Sequence, residues 1–476
     1  MARVSGRGLI VAGTHSGVGK TTVTCAIAAA LAARGLVVQP YKAGPDYIDP
    51  GHLGRAAGRA ARNLDTWMLP RPVVAELFGR AASDADVMLV EGVMGLFDGR
   101  GGTAEEGSAA DLARLLDLPV LLVVDASAVA RSIAATVLGF QLFDPSVHIV
   151  GVVLNRVGSA RHAEMCRTAI VEATGLPVIG ALPRSPEVAW PERHLGLVPE
   201  AEVSGDAGLP ARLAAFAETH LDLDALLRLA TPVAEAPSTG LFPADGPEGP
   251  DRAGRVSRPA PVKIAIARDR AFHFYYPDSL ELLEAWGADL LPFSPLDGEA
   301  LPVGARGILL GGGFPEVFAR ELAANTAMHE ALRVAAAAGV PIYGECGGLM
   351  YLGGALTDVE GTRHAMAGLL PCESTMQGTR LALGYREAES FGTPLLPRGE
   401  RVRGHEFHWS ALVAPPDPAT AAYRFTGEAN DPTGAGRVEG VRAGSVTGTY
   451  LHTHLAARPD LARNLVATAR ASSACV

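Results

Sequence analysis

Apolar residues in this chain gather into short continuous runs instead of long stripes. Between residues 8 and 230 the runs GLIVAG, LVVQPYKAG, DVMLVEG, PVLLVVD, HIVGVVLNR and LPVIGALP alternate with alanine-rich segments such as TVTCAIAAALAARG. A short apolar run closed by turn-forming residues reads as a strand buried on both faces, and the segments between read as helices. Strands and helices in strict alternation predict a parallel sheet covered on both sides, with ligands at the C-terminal strand ends. Residues 231–261 break the pattern with TPVAEAPSTGLFPADGPEGPDRAGRVSRPAP, a Pro- and Gly-crowded stretch that reads as a linker. Alternation resumes at VKIAIARD and continues through ARGILLGGG and VPIYGEC to GSVTGTYLHTHL. The predicted organisation is one α/β unit over residues 1–230, a linker over 231–261 and a second α/β unit over 262–470.

Composition narrows the class. The 476 residues are enough for two cores, and 48% apolar with 19% charged residues is a globular α/β balance. A net charge of −10 argues against a nucleic-acid partner. Cys25, Cys166, Cys346, Cys372 and Cys475 are odd in number and lack metal-ligand spacing, so a reducing compartment is expected. The apolar run near the start is too short for a signal peptide, and no run reaches the roughly 18 residues that span a membrane. A cytoplasmic protein with small-molecule substrates is expected; its oligomeric state is not set by these features.

The first strand leads into GTHSGVGKTT. Gly13, Thr14, Gly17, Gly19, Lys20, Thr21 and Thr22 form a loop whose N–H groups can cradle phosphate at a helix start, as in ATP binding. Five residues separate Gly13 from Gly19, one more than in the common phosphate-loop pattern. Lys20 would reach the outer phosphates. Acids collect at the next strand ends: Asp46 and Asp49 in KAGPDYIDP, Glu91 and Asp98 in LVEGVMGLFDG. Hard oxygen donors suit Mg²⁺, so Thr21, Asp46 and Glu91 are candidate ligands. Lys42 could contact phosphate, contact a substrate carboxylate or lie at the surface. Asp49 is expected to cap a helix in which Arg55, Arg59 and Arg62 share one face, a stripe able to receive a polyanion.

In the second unit VPIYGECGGLMYL places Cys346 on a strand-to-helix turn. A nucleophile there stands proud of the sheet, and the Gly347 N–H can meet an oxyanion. The GGG turn containing Gly312 and Gly313 can aim further N–H groups at the same point. TGTYLHTHL offers His452 and His454, which alternate in direction, so one of them can serve Cys346 as base. His405 and His408 flank Glu406 closely enough to suggest metal ligands, though no fourth partner is evident.

GTHSGVGKTT, YKAGPDYIDPGHL, NLDTW and VEGVMGLFDG together resemble the a,c-diamide synthases of the corrin pathway. The phosphate loop is also similar to that of dethiobiotin synthetase. Partition-type ATPases carry a signature lysine where this chain has His15. GGGFPE, the Cys346 turn and YLH resemble the class I glutamine amidotransferases, with a flavodoxin-like fold. The resemblance selects His452 as the base, with His454 in reserve. It assigns GYRE and RGHEFH to family-specific structure.

Many class I members follow the base with Pro-Glu; here Thr453-His454 stands in that place, which implies a base poorly oriented by any third acid. The implied activity is ATP- and glutamine-dependent amidation of the a and c acetates of cobyrinate or hydrogenobyrinate, with Mg²⁺. Lys42, Tyr47, Arg55, Arg59, Arg62 and Asp98 would face the corrin. Cobyric acid synthase, nickel-sirohydrochlorin a,c-diamide synthase and a partition-type binding module are the rival readings.

Overall fold

The computed structural model describes residues 6–101, 105–190, 192–193, 196–197, 200, 206–234, 238–243, 260–426 and 436–475. The chain divides into two units, Met1–Ser238 and Thr239–Val476. Among the described residues no helix is long and apolar enough to cross a membrane.

The first unit runs β1 (Arg7–Gly13), α1 (Lys20–Ala33), β2 (Val38–Ala43), α2 (Asp49–Ala57), β3 (Arg62–Leu64), α3 (Arg71–Ala82), β4 (Val87–Glu91), α4 (Ala109–Leu116), β5 (Val120–Asp125), α5 (Ser132–Phe143), β6 (Ile149–Val157), α6 (Ala160–Thr174), β7 (Val178–Pro183), α7 (Leu209–His220) and α8 (Leu223–Leu229). The six apolar runs are β1, β2, β4, β5, β6 and β7, and β3 is an edge strand that hydrophobic pattern alone does not reveal. The sheet order β3-β2-β4-β1-β5-β6-β7 is parallel throughout. Ile10 of β1 lies opposite Val90 on one side and Val120 on the other. The chain therefore reverses its direction of winding at β1, and the crevice this opens at the strand's C-terminal end is where the phosphate loop sits. Thr231 and Pro232, expected in the linker, pair antiparallel with Gly8 and Arg7.

The second unit runs β8 (Val262–Ala267), α9 (Pro277–Ala285), β9 (Ala288–Phe293), β10 (Ile308–Leu310), α10 (Thr326–Ala337), β11 (Ile342–Glu345), α11 (Gly347–Leu352), β12 (Ala382–Ser390), β13 (Arg401–His408), β14 (Tyr423–Thr426), β15 (Arg437–Glu439), β16 (Val441–Ala443), β17 (Val446–Thr449) and α12 (Asp460–Ala471). Its main sheet has the order β9-β8-β10-β11-β17-β16, parallel except at the edge strand β16. That is the flavodoxin-like order. Strands β13-β12-β14-β15 form a separate antiparallel sheet absent from the expected alternation. GYRE lies on β12 and RGHEFH on β13, paired across the register Tyr385↔His405.

Candidate active sites

The first site surrounds the N-terminus of α1. Gly19 precedes the helix at φ 95°, and no side chain caps it, so the leading N–H groups are open to an anion. A methyl at Gly19 would lie 2.2 Å from Asn155 Nδ2, which itself donates to the Val18 carbonyl at 2.7 Å. Arg156 donates to the Gly17 carbonyl at 2.6 Å and pairs with Asp125 at 2.6 Å. The end of β6 thus clamps the loop, a role for Asn155 and Arg156 that the motif search missed. Their signal was position: they follow the apolar core of HIVGVVLNR at a C-terminal strand end.

A cavity of about 620 Å³ opens here, lined by Gly17, Gly19, Lys20, Thr21 and Thr22 together with Lys42, Asp46, Asp49 and Glu91. That volume suits a nucleotide. Trp190 also lines it, tilted against His52 at 4.4 Å and 53° and donating to the Thr22 hydroxyl at 3.1 Å. Gly13 and Thr14 lie behind the lining, with Thr14 Oγ1 2.9 Å from His15 Nδ1. Lys20 Nζ donates to the carbonyls of His15, at 3.2 Å, and Met94. Burial, then the nearby Lys42 ammonium, pulls Lys20 down to about 8.

Lys42 is not a surface lysine. Its ammonium is 3% exposed as a residue and lies 2.7 Å from Glu91 Oε1 and 2.6 Å from Asp49 Oδ2. Burial opposes the charge, but Asp49 and Glu91 together hold Lys42 above its ordinary range. Thr21 donates to Glu91 Oε1 at 2.8 Å, and buried Glu91 Oε2 has no hydrogen-bond partner. This pair of hard donors fits a divalent cation. Asp46 is farther out: its Oδ2 is 4.0 Å from Lys42, and its Oδ1 accepts from the Ile48 N–H at 2.7 Å and the Asp49 N–H at 3.3 Å. Asp49 is not the cap: it is the first residue of α2, Ile48 is the N-cap without a side-chain bond, and Asp46 binds the turn before the helix.

The arginine stripe does not form. Gly58, left-handed at φ 68°, ends α2 after Ala57. Arg55 alone is helical and donates to the Asp206 carbonyl. Arg59 lies past the break and pairs with Asp84 at 2.6 Å, while Arg62 opens β3. Asp98 accepts from the Gly95 N–H at 2.8 Å and closes its own turn. Tyr47 is half-buried in the turn before α2. None of Tyr47, Arg55, Arg59, Arg62 and Asp98 lines the cavity.

In the second unit Cys346 joins β11 to α11 at φ 50° and ψ −100°, a conformation a non-glycine residue holds only under constraint. Its N–H donates to the Thr449 carbonyl at 2.7 Å, tying the turn to β17. Burial, reinforced by Glu316, pushes the thiol well above its ordinary value, while the Gly347 N–H acts in the opposite sense. A methyl at Gly347 would come within 3.3 Å of the Gly313 nitrogen, so those two backbone segments meet beside the thiol. Gly312 faces the base: a methyl there would lie 2.8 Å from His452 Cε1.

His452 is fully buried and pairs with His405 through both backbone bonds, at 2.8 and 3.1 Å. The two imidazoles stack at 5.0 Å and 18°. The His405 ring covers a face of this imidazole, and Gly312 lies beside its Cε1. His454 instead accepts from the Ala456 N–H at 3.1 Å and stacks on Tyr276 at 4.6 Å; burial pulls it down to about 3. RGHEFH is a supporting strand for the thiol site: the Phe407 carbonyl lies 4.0 Å from Cys346 Sγ. His405 Nε2 is 2.9 Å from the Tyr276 hydroxyl, and His408 Nδ1 is 2.7 Å from the Ser410 carbonyl. Among the described residues no group of three or more His, Cys, Asp or Glu side chains is placed to hold a metal, which overturns a metal role for His405, Glu406 and His408.

Fold and sites together define a phosphate-loop nucleotide-binding unit joined to a unit of glutamine amidotransferase type. Residues 9–198 match the CobQ/CobB/MinD/ParA nucleotide binding domain, and residues 263–460 match the CobB/CobQ-like glutamine amidotransferase domain. The cobyrinate a,c-diamide synthase of Dehalococcoides mccartyi is 46% identical over 96% of this chain and 97% of its own length. That of Salmonella typhimurium is 44% identical over 97% and 98%. The hydrogenobyrinate a,c-diamide synthase of Streptomyces coelicolor is 42% identical over 98% of both chains. The chain belongs to the cobyrinate a,c-diamide synthase family.

Proposed function

We infer that this protein is a carbon–nitrogen ligase that amidates the a and c acetate carboxylates of cobyrinate, or of its metal-free counterpart hydrogenobyrinate, using ATP and glutamine. The observation that carries this reading is the near-complete alignment with relatives so named, over a chain holding both a nucleotide-sized cavity and a thiol on a strained turn. Relatives of that name, aligned over both units, favour this reading over the cobyric acid synthase, nickel-sirohydrochlorin and partition-module readings.

Chemistry assigns the steps. The open N–H groups of α1 and the Lys20 ammonium hold the ATP phosphates while the γ-phosphoryl passes to an acetate oxygen, giving an acyl phosphate and ADP. Thr21 and Glu91, with Asp46, would hold Mg²⁺, which when bound neutralises phosphate charge. Cys346 attacks the glutamine carboxamide as His452 takes its proton and returns it to the departing ammonia. The N–H groups of Gly347 and Gly313, with Gly312 beside them, face the developing oxyanion. Water clears the thioester as glutamate, and ammonia displaces phosphate from the acyl phosphate to leave the amide. The free thiols Cys25, Cys166, Cys346, Cys372 and Cys475 support a reducing compartment, the cytoplasm, as the setting for this chemistry.

The test is glutamate release and ATP hydrolysis measured with cobyrinate, hydrogenobyrinate or nickel-sirohydrochlorin in turn. Diamide product from cobyrinate or hydrogenobyrinate is expected and identifies the preferred corrin. Product from nickel-sirohydrochlorin alone would overturn the assignment.

A further inference from the structure

We propose that Glu345, the residue immediately before the thiol, is the acid that positions the imidazole of His452. The inference rests on the glutamine-hydrolysis reading above and supplies the third partner missing downstream of the base. Glu345 ends β11 opposite Thr449 of β17, so its side chain leaves the sheet beside the segment that carries His452. Its Oε2 is 3.6 Å from His452 Nδ1, and its Oε1 accepts from the Thr453 N–H at 3.3 Å. One carboxylate thus reaches both the base and the backbone that follows it.

The other buried carboxylates of this region are engaged elsewhere. Glu439 accepts from the Thr449 hydroxyl and, at 2.6 Å, from the Tyr450 N–H. Glu406 accepts from Arg386 at 2.6 Å and from Arg437 at 2.8 Å. Gly312 and the ring of His405 also lie against His452, and burial and the neighbouring His452 hold His405 neutral.

At 3.6 Å the contact is longer than a hydrogen bond, as catalytic contacts often are before substrate binds. A carboxylate at Nδ1 keeps the proton on that nitrogen and leaves the Nε2 lone pair for the thiol. It also stabilises the imidazolium once the proton has moved. Glu345 disfavours the Cys346 thiolate too, as a cause subordinate to burial and Glu316.

The experiment is glutamate release by Glu345→Gln and Glu345→Asp, beside corrin amidation supported by ammonium chloride in place of glutamine. Glu345→Gln is expected to lower kcat for glutamate release about 10- to 100-fold at unchanged KM, less than loss of a tightly bonded triad acid. Glu345→Asp should recover part of the rate, and ammonium-supported amidation should stay intact. Undiminished glutamate release by Glu345→Gln, a rise in KM at unchanged kcat, no recovery in Glu345→Asp, or equal loss of ammonium-supported amidation would overturn the proposal. If the wild-type chain releases no glutamate, the underlying reading falls and this inference with it.

Discussion

Replacing Gly312 with alanine tests where the base stands. The added methyl would lie 2.8 Å from His452 Cε1, 3.1 Å from Phe274 Cδ2 and 3.3 Å from Phe274 Cβ. Carbon atoms rest at about 3.5–4.0 Å, so the imidazole must retreat by about 0.7–1 Å. Its face is covered by the stacked His405 ring, whose own Nε2 lies 2.9 Å from the Tyr276 hydroxyl, which limits where it can move. Overpacking of this kind costs about 1–3 kcal/mol of stability. A displacement of about 1 Å at a reacting group costs about 100-fold in rate. Steady-state glutamate release at saturating glutamine should therefore fall about 100-fold in Gly312→Ala, with a modest drop in Tm. Ammonium-supported amidation, which needs no thiol chemistry, should persist. Wild-type glutamate release by a folded Gly312→Ala would show that the ring beside Gly312 is not the working base.

Three further outcomes follow from the same geometry. Glu91→Gln removes the negative charge 2.7 Å from buried Lys42 and one oxygen of the proposed Mg²⁺ site, while its amide oxygen can still accept from Thr21; loss of about 3 kcal/mol by urea titration is expected, with loss of ATP-dependent amidation. Arg59→Ala breaks the solvent-facing pair with Asp84 and the bond to the Ala81 carbonyl at 3.0 Å, so stability should change by about 1 kcal/mol and the KM for the corrin should not move. Against burial, His408, Arg437 and Arg386 hold Glu406 down to about 2. Its unfolded value is about 4.3, so its stabilisation is complete above about pH 4.3, is lost as pH falls toward 2, and amounts to about 3 kcal/mol. A Glu406→Gln variant should have a urea midpoint that varies less over that window than the wild type.

How far such features can be read from sequence depends on how local their causes are. The phosphate loop and the Cys346 turn are local, because a few adjacent residues set the backbone and a buried strand precedes each. The arginine stripe failed on a signal that was also local: Gly58 stands where a helix ends, and a helical spacing counted through it has no meaning. The Lys42 cluster is not local. It needs the ends of β2 and β4 and the start of α2 to converge, and only the sheet order β2-β4-β1 brings them together. RVRGHEFH reads as a cluster of ligand-type residues, yet it is a strand whose backbone pairs with His452. Glu345 escaped for a related reason. A third acid is sought downstream of the base, whereas the fold brings one from the residue before the nucleophile.

The central claim, that glutamine hydrolysis and carboxylate activation serve one product, is tested most directly by supplying amide-¹⁵N glutamine with ATP, Mg²⁺ and cobyrinate or hydrogenobyrinate and locating the label in the corrin by mass spectrometry. The account predicts ¹⁵N in two new amides, at the a and c acetates, and none when Cys346 is replaced by serine. Glutamate release and ATP consumption with no label entering either corrin would contradict it.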